Sequence, residues 1–270
     1  MLNILWLVPK NTLSRLMGKI AELSIPKFIR PVFYRLFGNF FGVNFFEIED
    51  SLDSFSCLQD FFTRELRPGL RPIAEASVVS PCDGRWGQCG RVTENCLLQI
   101  KGKSYSLEEL IGEKVSAEFA DASYATIYLA PRDYHRFHMP MTASLTKVRY
   151  IPGTLWPVNS WAVKNIDRLF CVNERMVCWL GSEFILVAVG ATMVGKVKLV
   201  FDSTLTTNVA QSTGWVQEYA DRGPSLLQGA ELGRFEFGST LVLISKTALI
   251  EGILGDQVLI GQNLSEADAQ

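Results

Sequence analysis

The chain has no apolar run long enough to cross a bilayer, although 48% of its 270 residues are hydrophobic and its mean hydropathy is +0.15. A spanning helix needs about 20 consecutive apolar residues, so the sequence excludes an integral membrane protein. The opening MLNILWLVP lacks a basic start, and no small-residue cleavage site follows it. We therefore expect no secretory signal and a location on the cytoplasmic side.

Metal-binding side chains are also scarce. The chain has two histidines and six cysteines, and no two cysteines form a C-x-x-C pair. Zinc sites usually combine such pairs with further cysteines or histidines, so we expect no metal site. A disulfide framework is equally unexpected in a chain of this size without an export signal. The cysteines are predicted to be reduced and mostly buried.

Positive charge is concentrated at the start of the chain. Residues 1–46 contain six Lys or Arg and a single Glu, a net charge of +5, although the whole chain carries −2. The remainder therefore carries −7, which argues against nucleic acid as a partner. One localised basic face is expected instead.

The same segment predicts amphipathic helices. One helical stripe of apolar residues ends before Pro26, and apolar pairs then recur at four-residue steps from Phe28 to Phe41. Such helices either pack their apolar faces on the main domain or lie in a membrane interface with Phe and Leu inserted. Seven of the 17 phenylalanines between 28 and 46, together with the local charge, favour the membrane interface. Both interpretations can hold for different parts of the segment. The stripe consists of Leu13, Leu16, Met17, Ile20 and Leu23.

From about residue 75 the pattern changes to short β-type runs broken by Gly, Pro and Asp, with one short helix near 106–112. We therefore predict an α+β fold with a β-rich core and an N-terminal amphipathic helical segment that associates with membranes. The stretch RELRPGLRPI at 64–73 marks the joint between the two parts. The predicted organisation is a helical leader and joint over 1–73 and a β-rich catalytic core over 74–270.

Three short motifs contain residues of the types that act in catalysis. Gly238 and Ser239 precede an apolar β run, and Asp83 lies in a Pro-x-Asp-Gly turn. His135 and His138 lie in a segment bracketed by two prolines. Each motif alone has an ordinary structural explanation, as turn chemistry or as a packed histidine. Together they supply a nucleophile, a base and an orienting carboxylate. In an extended segment an offset of three sends the two imidazoles to opposite faces, so we expect them to have different tasks.

These motifs resemble those of the bacterial phosphatidylserine decarboxylases, which are pyruvoyl-dependent, membrane-associated enzymes. The family's Leu-Gly-Ser-Thr appears here as FGST at 237–240, its Pro-Ala-Asp-Gly as PCDG at 81–84, and its Asp-Tyr-His-Arg-x-His-Met-Pro as DYHRFHMP at 133–140. The stretches KGKSYSLEELIG, IPGTLWPVN, NERMVC and VGATMVG also match in the same order. Phe237 and Cys82 depart from the family's leucine and alanine. Both are apolar neighbours of the reacting residues, so they bear on the rate of cleavage and not on the reaction class.

The resemblance implies that the precursor cuts itself between Gly238 and Ser239, into a large β chain (1–238) and a small α chain (239–270). Ser239 attacks the carbonyl of Gly238, the ester is eliminated, and hydrolysis leaves a covalent pyruvoyl group on the new N-terminus. His138 is implied as the base for Ser239 and Asp83 as the group that orients it. His135 is left for the substrate, as the proton donor in decarboxylation.

In turnover the implied pyruvoyl ketone forms a Schiff base with the amine of phosphatidylserine and accepts the electrons released with CO2. The product is phosphatidylethanolamine, which places the enzyme in phospholipid biosynthesis. The implied partners are phosphatidylserine in an anionic membrane and the two chains of one precursor, on the cytoplasmic face of the cell membrane. The sequence is also compatible with a homodimer.

Two other functions stay open at this point. A membrane-associated serine hydrolase would keep Ser239 intact and use the same three residues for acyl transfer, but the G-x-S-x-G signature is absent around Ser239. A lipid-surface binding module without catalysis would make the Ser, His and Asp matches accidental. The masses of the mature chains separate these functions, because only the decarboxylase is cut.

Overall fold

The protein is built around one large antiparallel β-sheet, as seen in a computed structural model. The structure describes residues 9–265 except 101, 193–195, 203, 209–212, 220–221, 237–238 and 249, with Ile100 and Ser239 described by their backbone alone.

The strands of the described residues are short and follow one another closely along the chain. Their bounds are Gly84–Arg91 (β1), Cys96–Ile100 (β2), Lys103–Ser106 (β3), Ser123–Leu129 (β4), Arg136–His138 (β5), Ala143–Ile151 (β6), Arg175–Leu180 (β7), Phe184–Val189 (β8), Val197–Leu199 (β9), Trp215–Glu218 (β10), Ser225–Leu226 (β11), Glu231–Phe235 (β12), Ser239–Ser245 (β13) and Gln257–Val258 (β14).

Nine strands form the large sheet, in the order β10-β6-β7-β8-β13-β4-β1-β14, with β11 paired to β6. A small sheet has the order β5-β12-β9, and β2 and β3 form a hairpin. The central strands are continuous apolar runs, such as FILVAV in β8, because both faces of the sheet are covered. One face packs on the small sheet around Phe137 and Phe235. The other packs on helices around Leu110 and Phe170.

The α-helices have recognisable start and stop residues. Pro31 lies in the first turn of the second helix, and Gly42 ends that helix in the left-handed region at φ +80°. The side chain of Ser106 caps the fourth helix by accepting the N–H of Glu109 at 3.3 Å. The bounds are Lys10–Ala21 (α1), Arg30–Phe41 (α2), Leu58–Phe62 (α3), Leu107–Ile111 (α4), Ser160–Asn165 (α5) and Leu169–Val172 (α6).

The prediction of an α+β fold with a β-rich core is confirmed. The helix expected near 106–112 is α4, and the histidine segment is extended where it forms β5. The apolar run that ends at residue 201 divides into β8 and β9, and its residues 193–195 lie outside the described part of the chain. All six cysteines carry free thiols, three of them buried and three half-buried.

The N-terminal helices pack on the rest of the protein through a small aromatic cluster. Tyr34 of α2 is fully buried, and its ring stacks on Phe61 of α3 with centroids 4.8 Å apart. Its hydroxyl donates to the backbone oxygen of Phe55 at 3.1 Å. In the part of the chain that the structure describes, none of the helices combines the length and the hydropathy that a membrane crossing needs.

Candidate active site

Three strand ends meet at one edge of the large sheet. The backbone of Ser239 begins β13 opposite Leu129, the last residue of β4. On the other side of β4, Arg85 of β1 pairs with Tyr128, so Asp83 lies just beyond the same edge. Adjacent strands are about 4.8 Å apart, which places the backbones of β1 and β13 roughly 10 Å from each other. The sheet thus brings Asp83 and Ser239 to the same end of its strands, with only β4 between them.

The small sheet is joined to this edge twice. β4 continues through residues 130–135 into β5, and β12 continues through residues 236–238 into β13. His138 ends β5, and the N–H of Phe235 in β12 donates to the backbone oxygen of His135 at 2.8 Å. Both predicted histidines therefore lie beside β12, the strand that directly precedes the predicted cleavage site along the chain.

The predicted cleavage site itself is described only in part. Phe237 and Gly238 lie outside the described residues, and Ser239 is described by its backbone alone. Cys82, where the resembling family has alanine, is fully buried, and burial raises the pKa of its thiol. The thiol therefore stays protonated and serves as an apolar side chain.

Asp83 is buried and is held by an arginine. Its Oδ1 and Oδ2 accept the Nε–H of Arg71 at 3.0 and 3.1 Å, and Oδ2 also accepts Nη2–H at 2.7 Å. Oδ1 accepts the backbone N–H of Ile260 at 2.9 Å, and Arg71 donates to Glu47 at 2.9 Å. Among the described residues Asp83 and His138 share no hydrogen bond, and the carboxylate charge is a minor influence that opposes the lowering of the His138 pKa by burial. Arg71 was not predicted as a site residue, because nothing in its own sequence stretch indicates that partner.

His138 has the protonation pattern of a general base. Its Nδ1 lies 2.8 Å from the backbone oxygen of Gly229, an acceptor, so Nδ1 carries the proton of the neutral ring and Nε2 has the lone pair. Nε2 is buried without a hydrogen-bond partner among the described residues. Burial is the main cause of a lowered pKa, which favours the neutral ring. The ring stacks on Tyr134 at 5.8 Å, and the His138 N–H donates to Pro81 at 2.7 Å.

His135 is fully buried and lies in a different environment. Its Nδ1 is 2.8 Å from the backbone oxygen of Asp133, and its ring centroid is 4.2 Å from that of Phe62. Burial, reinforced by the positive charge of Arg64, lowers the pKa of His135 to about 3. Its Nε2 also has no hydrogen-bond partner within the described part of the chain. A neutral ring whose Nδ1–H is already bonded can accept a proton at Nε2 before it donates one.

Glu174 is a buried carboxyl group that the sequence analysis did not single out. It directly precedes β7, and its Oε2 accepts the hydroxyl of Tyr150 at 3.2 Å. Burial raises the pKa of Glu174 to about 7. Glu174 packs closely against Gly190, since a Cβ added to that glycine would lie 3.1 Å from the Glu174 Cγ. Gly190 directly follows Val189, and Val189 pairs with Thr240, the residue after Ser239. In the sequence, the adjacent charged residues Glu174 and Arg175 of NERMVC stand at the start of an apolar strand. That position was the signal by which this buried carboxyl group could have been found.

Several buried polar atoms at this edge have no hydrogen-bond partner among the described residues. They include Nε2 of His135, Nε2 of His138 and Oγ1 of Thr240. Leaving a buried polar group unpaired costs about 1–3 kcal/mol, so such atoms mark a place where another polar group binds. A ketone at residue 239 and the carboxylated amine that it would hold are polar groups of this kind. The residues present therefore fit the pyruvoyl group that the motifs imply.

Comparisons with known proteins identify the family of the chain. A sequence model of the family described as phosphatidylserine decarboxylase matches residues 58–266. The chain is 41% identical over 249 residues to a phosphatidylserine decarboxylase proenzyme of Myxococcus xanthus, a match that covers 90% of this chain and 88% of the relative.

Two further bacterial relatives carry the same name. The protein of Anaeromyxobacter sp. is 42% identical over 250 residues, covering 90% of this chain and 88% of the relative. That of Brevibacillus brevis is 38% identical over 279 residues, covering 97% and 96%. The resemblance predicted from the motifs is thus confirmed, and the chain belongs to the phosphatidylserine decarboxylase family.

Proposed function

We propose that this chain is a self-processing, pyruvoyl-dependent decarboxylase that converts phosphatidylserine to phosphatidylethanolamine and CO2 in phospholipid biosynthesis. One structural observation supports it most directly. The half-buried imidazole of His138 has a buried Nε2 without a partner among the described residues, and His138 ends β5 in the small sheet, whose strand β12 runs within a few residues into Ser239.

Self-cleavage needs a base for the hydroxyl of Ser239, and we assign that role to His138. Its neutral Nε2 takes the hydroxyl proton as the oxygen attacks the carbonyl of Gly238, and the amide becomes an ester. Elimination then removes the Cα hydrogen of residue 239, breaks its Cβ–O bond and releases the carboxylate of Gly238. Hydrolysis of the remaining enamine releases ammonia and leaves the ketone. Glycine suits position 238, because no Cβ obstructs the attack.

Asp83 acts in this step as a positioning residue. Arg71 and the N–H of Ile260 fix its carboxylate, and with it the turn that begins at Pro81. The Pro81 carbonyl in that turn accepts the N–H of His138 at 2.7 Å. Asp83 thus holds the backbone that carries the base. Its negative charge also favours the protonated imidazole that forms during the attack.

The pyruvoyl group supplies a ketone that binds the substrate amine and accepts the electrons released with CO2. We assign the accompanying proton movements to His135. The negative charge of the bound substrate carboxylate favours protonation of the ring, so Nε2 can take the proton that the substrate ammonium group releases and return it to the carbon that has lost CO2. Asp133 and Phe62 fix the orientation of the ring, and its complete burial excludes bulk water.

Intact-mass analysis tests the proposed function. We expect two chains, of 238 and 32 residues, with a blocked N-terminus on the smaller chain that reacts with hydroxylamine. The cut protein should release CO2 from phosphatidylserine. A serine hydrolase would instead show one chain of 270 residues that retains its serine, and that result would overturn the proposal. The homodimer stays a prediction, which light scattering on the same sample checks.

The leader over 1–73 is proposed to hold the catalytic core over 74–270 at the cytoplasmic face of the cell membrane. α1 buries Ser14 and Ala21 against the protein, its Leu13 and Met17 are half-buried, and Leu16 and Ile20 face outward. Exposed apolar residues follow one another along this segment, which suits insertion among lipids with neighbouring Lys and Arg at the headgroups. They are Leu16, Ile20, Leu23, Phe28, Ile29, Val32, Leu36, Phe40 and Phe46.

The double variant Leu36→Ser/Phe40→Ser is expected to bind anionic vesicles at least about 10-fold more weakly, since each apolar side chain contributes about 1.5–3 kcal/mol when it leaves water. Both side chains are largely exposed, at 68% and 81%, so self-cleavage should be unaffected. Leu227→Ser/Ile253→Ser is the matched control, because these side chains are 71% and 72% exposed outside the leader. Co-sedimentation measures the binding, and an equal loss in both variants would contradict a membrane role of α2.

A further inference from the structure

A cavity of about 600 Å3 lies between α1 and the small sheet, where Lys196 precedes β9 and Glu236 follows β12. Its lining includes Glu236, three residues before Ser239, and Leu16, which belongs to the exposed apolar row of the leader. The cavity therefore links the chain segment that leads into the proposed cleavage site with the surface assigned to the membrane. Its volume is within the range of about 300–1,000 Å3 that is typical of small-molecule sites.

The charged residues of the lining are only partly neutralised. Lys196 is 3.5 Å from the carboxylate of Glu22, and Glu236 is paired with Lys198, which lies outside the lining. Arg15 and Lys19 also line the cavity, and neither has an ion-pair partner among the described residues. Within the part of the chain that the structure describes, the guanidinium of Arg15 donates to the hydroxyl of Thr12, at 3.4 Å, and to no other group. The lining thus holds two unneutralised positive charges.

Arg15 lies close enough to Glu174 to affect its ionisation. Burial raises the pKa of Glu174, and the positive charge of Arg15 opposes part of that rise. Glu174 lies against Gly190, and Gly190 follows the strand that pairs with β13. An anion bound beside Arg15 would therefore lie close to the edge where the ketone forms.

We propose that this cavity holds the phosphodiester group of the lipid substrate, with Arg15 and Lys19 as its cationic partners. The inference rests on the proposed function. In phosphatidylserine the phosphorus is four bonds from the amine nitrogen, at most about 6 Å away at about 1.5 Å per bond. A phosphate held at the end of the cavity nearest residue 239 would let the amine reach that residue, and the acyl chains would leave past Leu16 along the exposed apolar row. The two cations would thus distinguish phosphatidylserine from free serine.

The test compares Arg15→Gln/Lys19→Gln with Lys114→Gln/Lys164→Gln, which removes the same charge from exposed positions outside the cavity lining. The substrate is dihexanoyl-phosphatidylserine dispersed as monomers, so attraction to an anionic membrane plays no part. We expect KM to rise about 10- to 100-fold in the cavity variant and to change less than about 2-fold in the control, because charge-assisted hydrogen bonds to the phosphate are lost. The charge-retaining variant Arg15→Lys/Lys19→Arg should recover most of the loss. An equal rise in KM in the cavity variant and the control would overturn the proposal.

Soluble inhibitors identify the group that is bound. Glycerophosphoserine should inhibit the wild type competitively and lose this effect in the cavity variant, whereas L-serine should inhibit both equally. Inhibition by inorganic phosphate as strong as that by glycerophosphoserine would assign the cavity to free phosphate and overturn the headgroup assignment. If the wild type is uncut or releases no CO2, the proposed function fails by itself. Calorimetric binding of glycerophosphoserine to the wild type and the cavity variant then still decides what the cavity binds.

Discussion

His138→Ala is expected to accumulate as one uncut chain of 270 residues, whereas the wild type separates into two chains. The substitution removes the Nε2 lone pair that we assign to the attack of Ser239. A general base contributes about 10²–10⁴ in rate, so cleavage that is complete during expression of the wild type should be delayed at least about 100-fold. Gel electrophoresis of samples taken at intervals after purification measures the uncut fraction.

A second variant separates the loss of the base from the loss of structure. In His138→Asn the side-chain amide can still donate to the backbone oxygen of Gly229, as Nδ1 does in the native ring, but it has no counterpart of Nε2. The variant should melt close to the wild-type temperature and stay uncut. Cleavage of both variants at the wild-type rate would show that another group is the base.

His135→Asn is expected to cut itself at close to the normal rate and to release CO2 from phosphatidylserine at least about 100-fold more slowly. The asparagine amide can donate to the backbone oxygen of Asp133 in place of Nδ1, and only the acceptor at Nε2 is lost. Reaction with hydroxylamine measures the ketone, so a normal ketone content shows that the defect is in turnover. Substrate assays with labelled carboxylate measure that turnover.

The ionisation of His135 adds a second check. Since its pKa is lowered to about 3, the ring is neutral throughout the range from pH 5 to pH 8. The rate of decarboxylation by the wild type should therefore show no inflection from this ring near pH 6.5, the ordinary pKa of histidine.

The roles of the two histidines would be reversed if His135→Asn stayed uncut while His138→Asn was fully cut.

The sequence predicted the parts of the fold that depend on local pattern. Short apolar runs broken by Gly, Pro and Asp predicted the strands of the β-rich core, and the helix expected near 106–112 is α4. Prolines around the histidine segment predicted an extended or looped course, and the structure is extended there in β5. Motif matches then gave the family without any knowledge of how the strands are ordered.

Contacts between distant residues could not be predicted in this way. Asp83 was expected to orient His138, but its bond to Arg71 and the bond of the His138 Nδ1 to the carbonyl of Gly229, 91 residues away, were not expected. No local pattern encodes such a partner, because the sheet order decides which loops meet. Glu174 is a different case, since a charged residue at the entrance of an apolar strand is visible in the sequence and was not weighed.

The helical leader shows the same limit on a larger scale. Periodicity predicted a stripe of apolar residues on α1, but not the direction in which that stripe would face. In the structure the helix turns its smaller residues Ser14 and Ala21 toward the protein and exposes Leu16 and Ile20. Amphipathicity fixes the faces of a helix, and only the packing partner decides which face is buried.

Self-cleavage changes what keeps β13 in place. In the precursor the chain ties this strand to β12. After the proposed cut the strand belongs to a separate chain of 32 residues, held between β4 and β8 by hydrogen bonds and packing alone. The precursor refolds as one molecule at any dilution, whereas the processed enzyme must recover its second chain by diffusion. Each molecule therefore folds before it is cut, and its native state afterwards persists because unfolding is slow, not because it can readily form again.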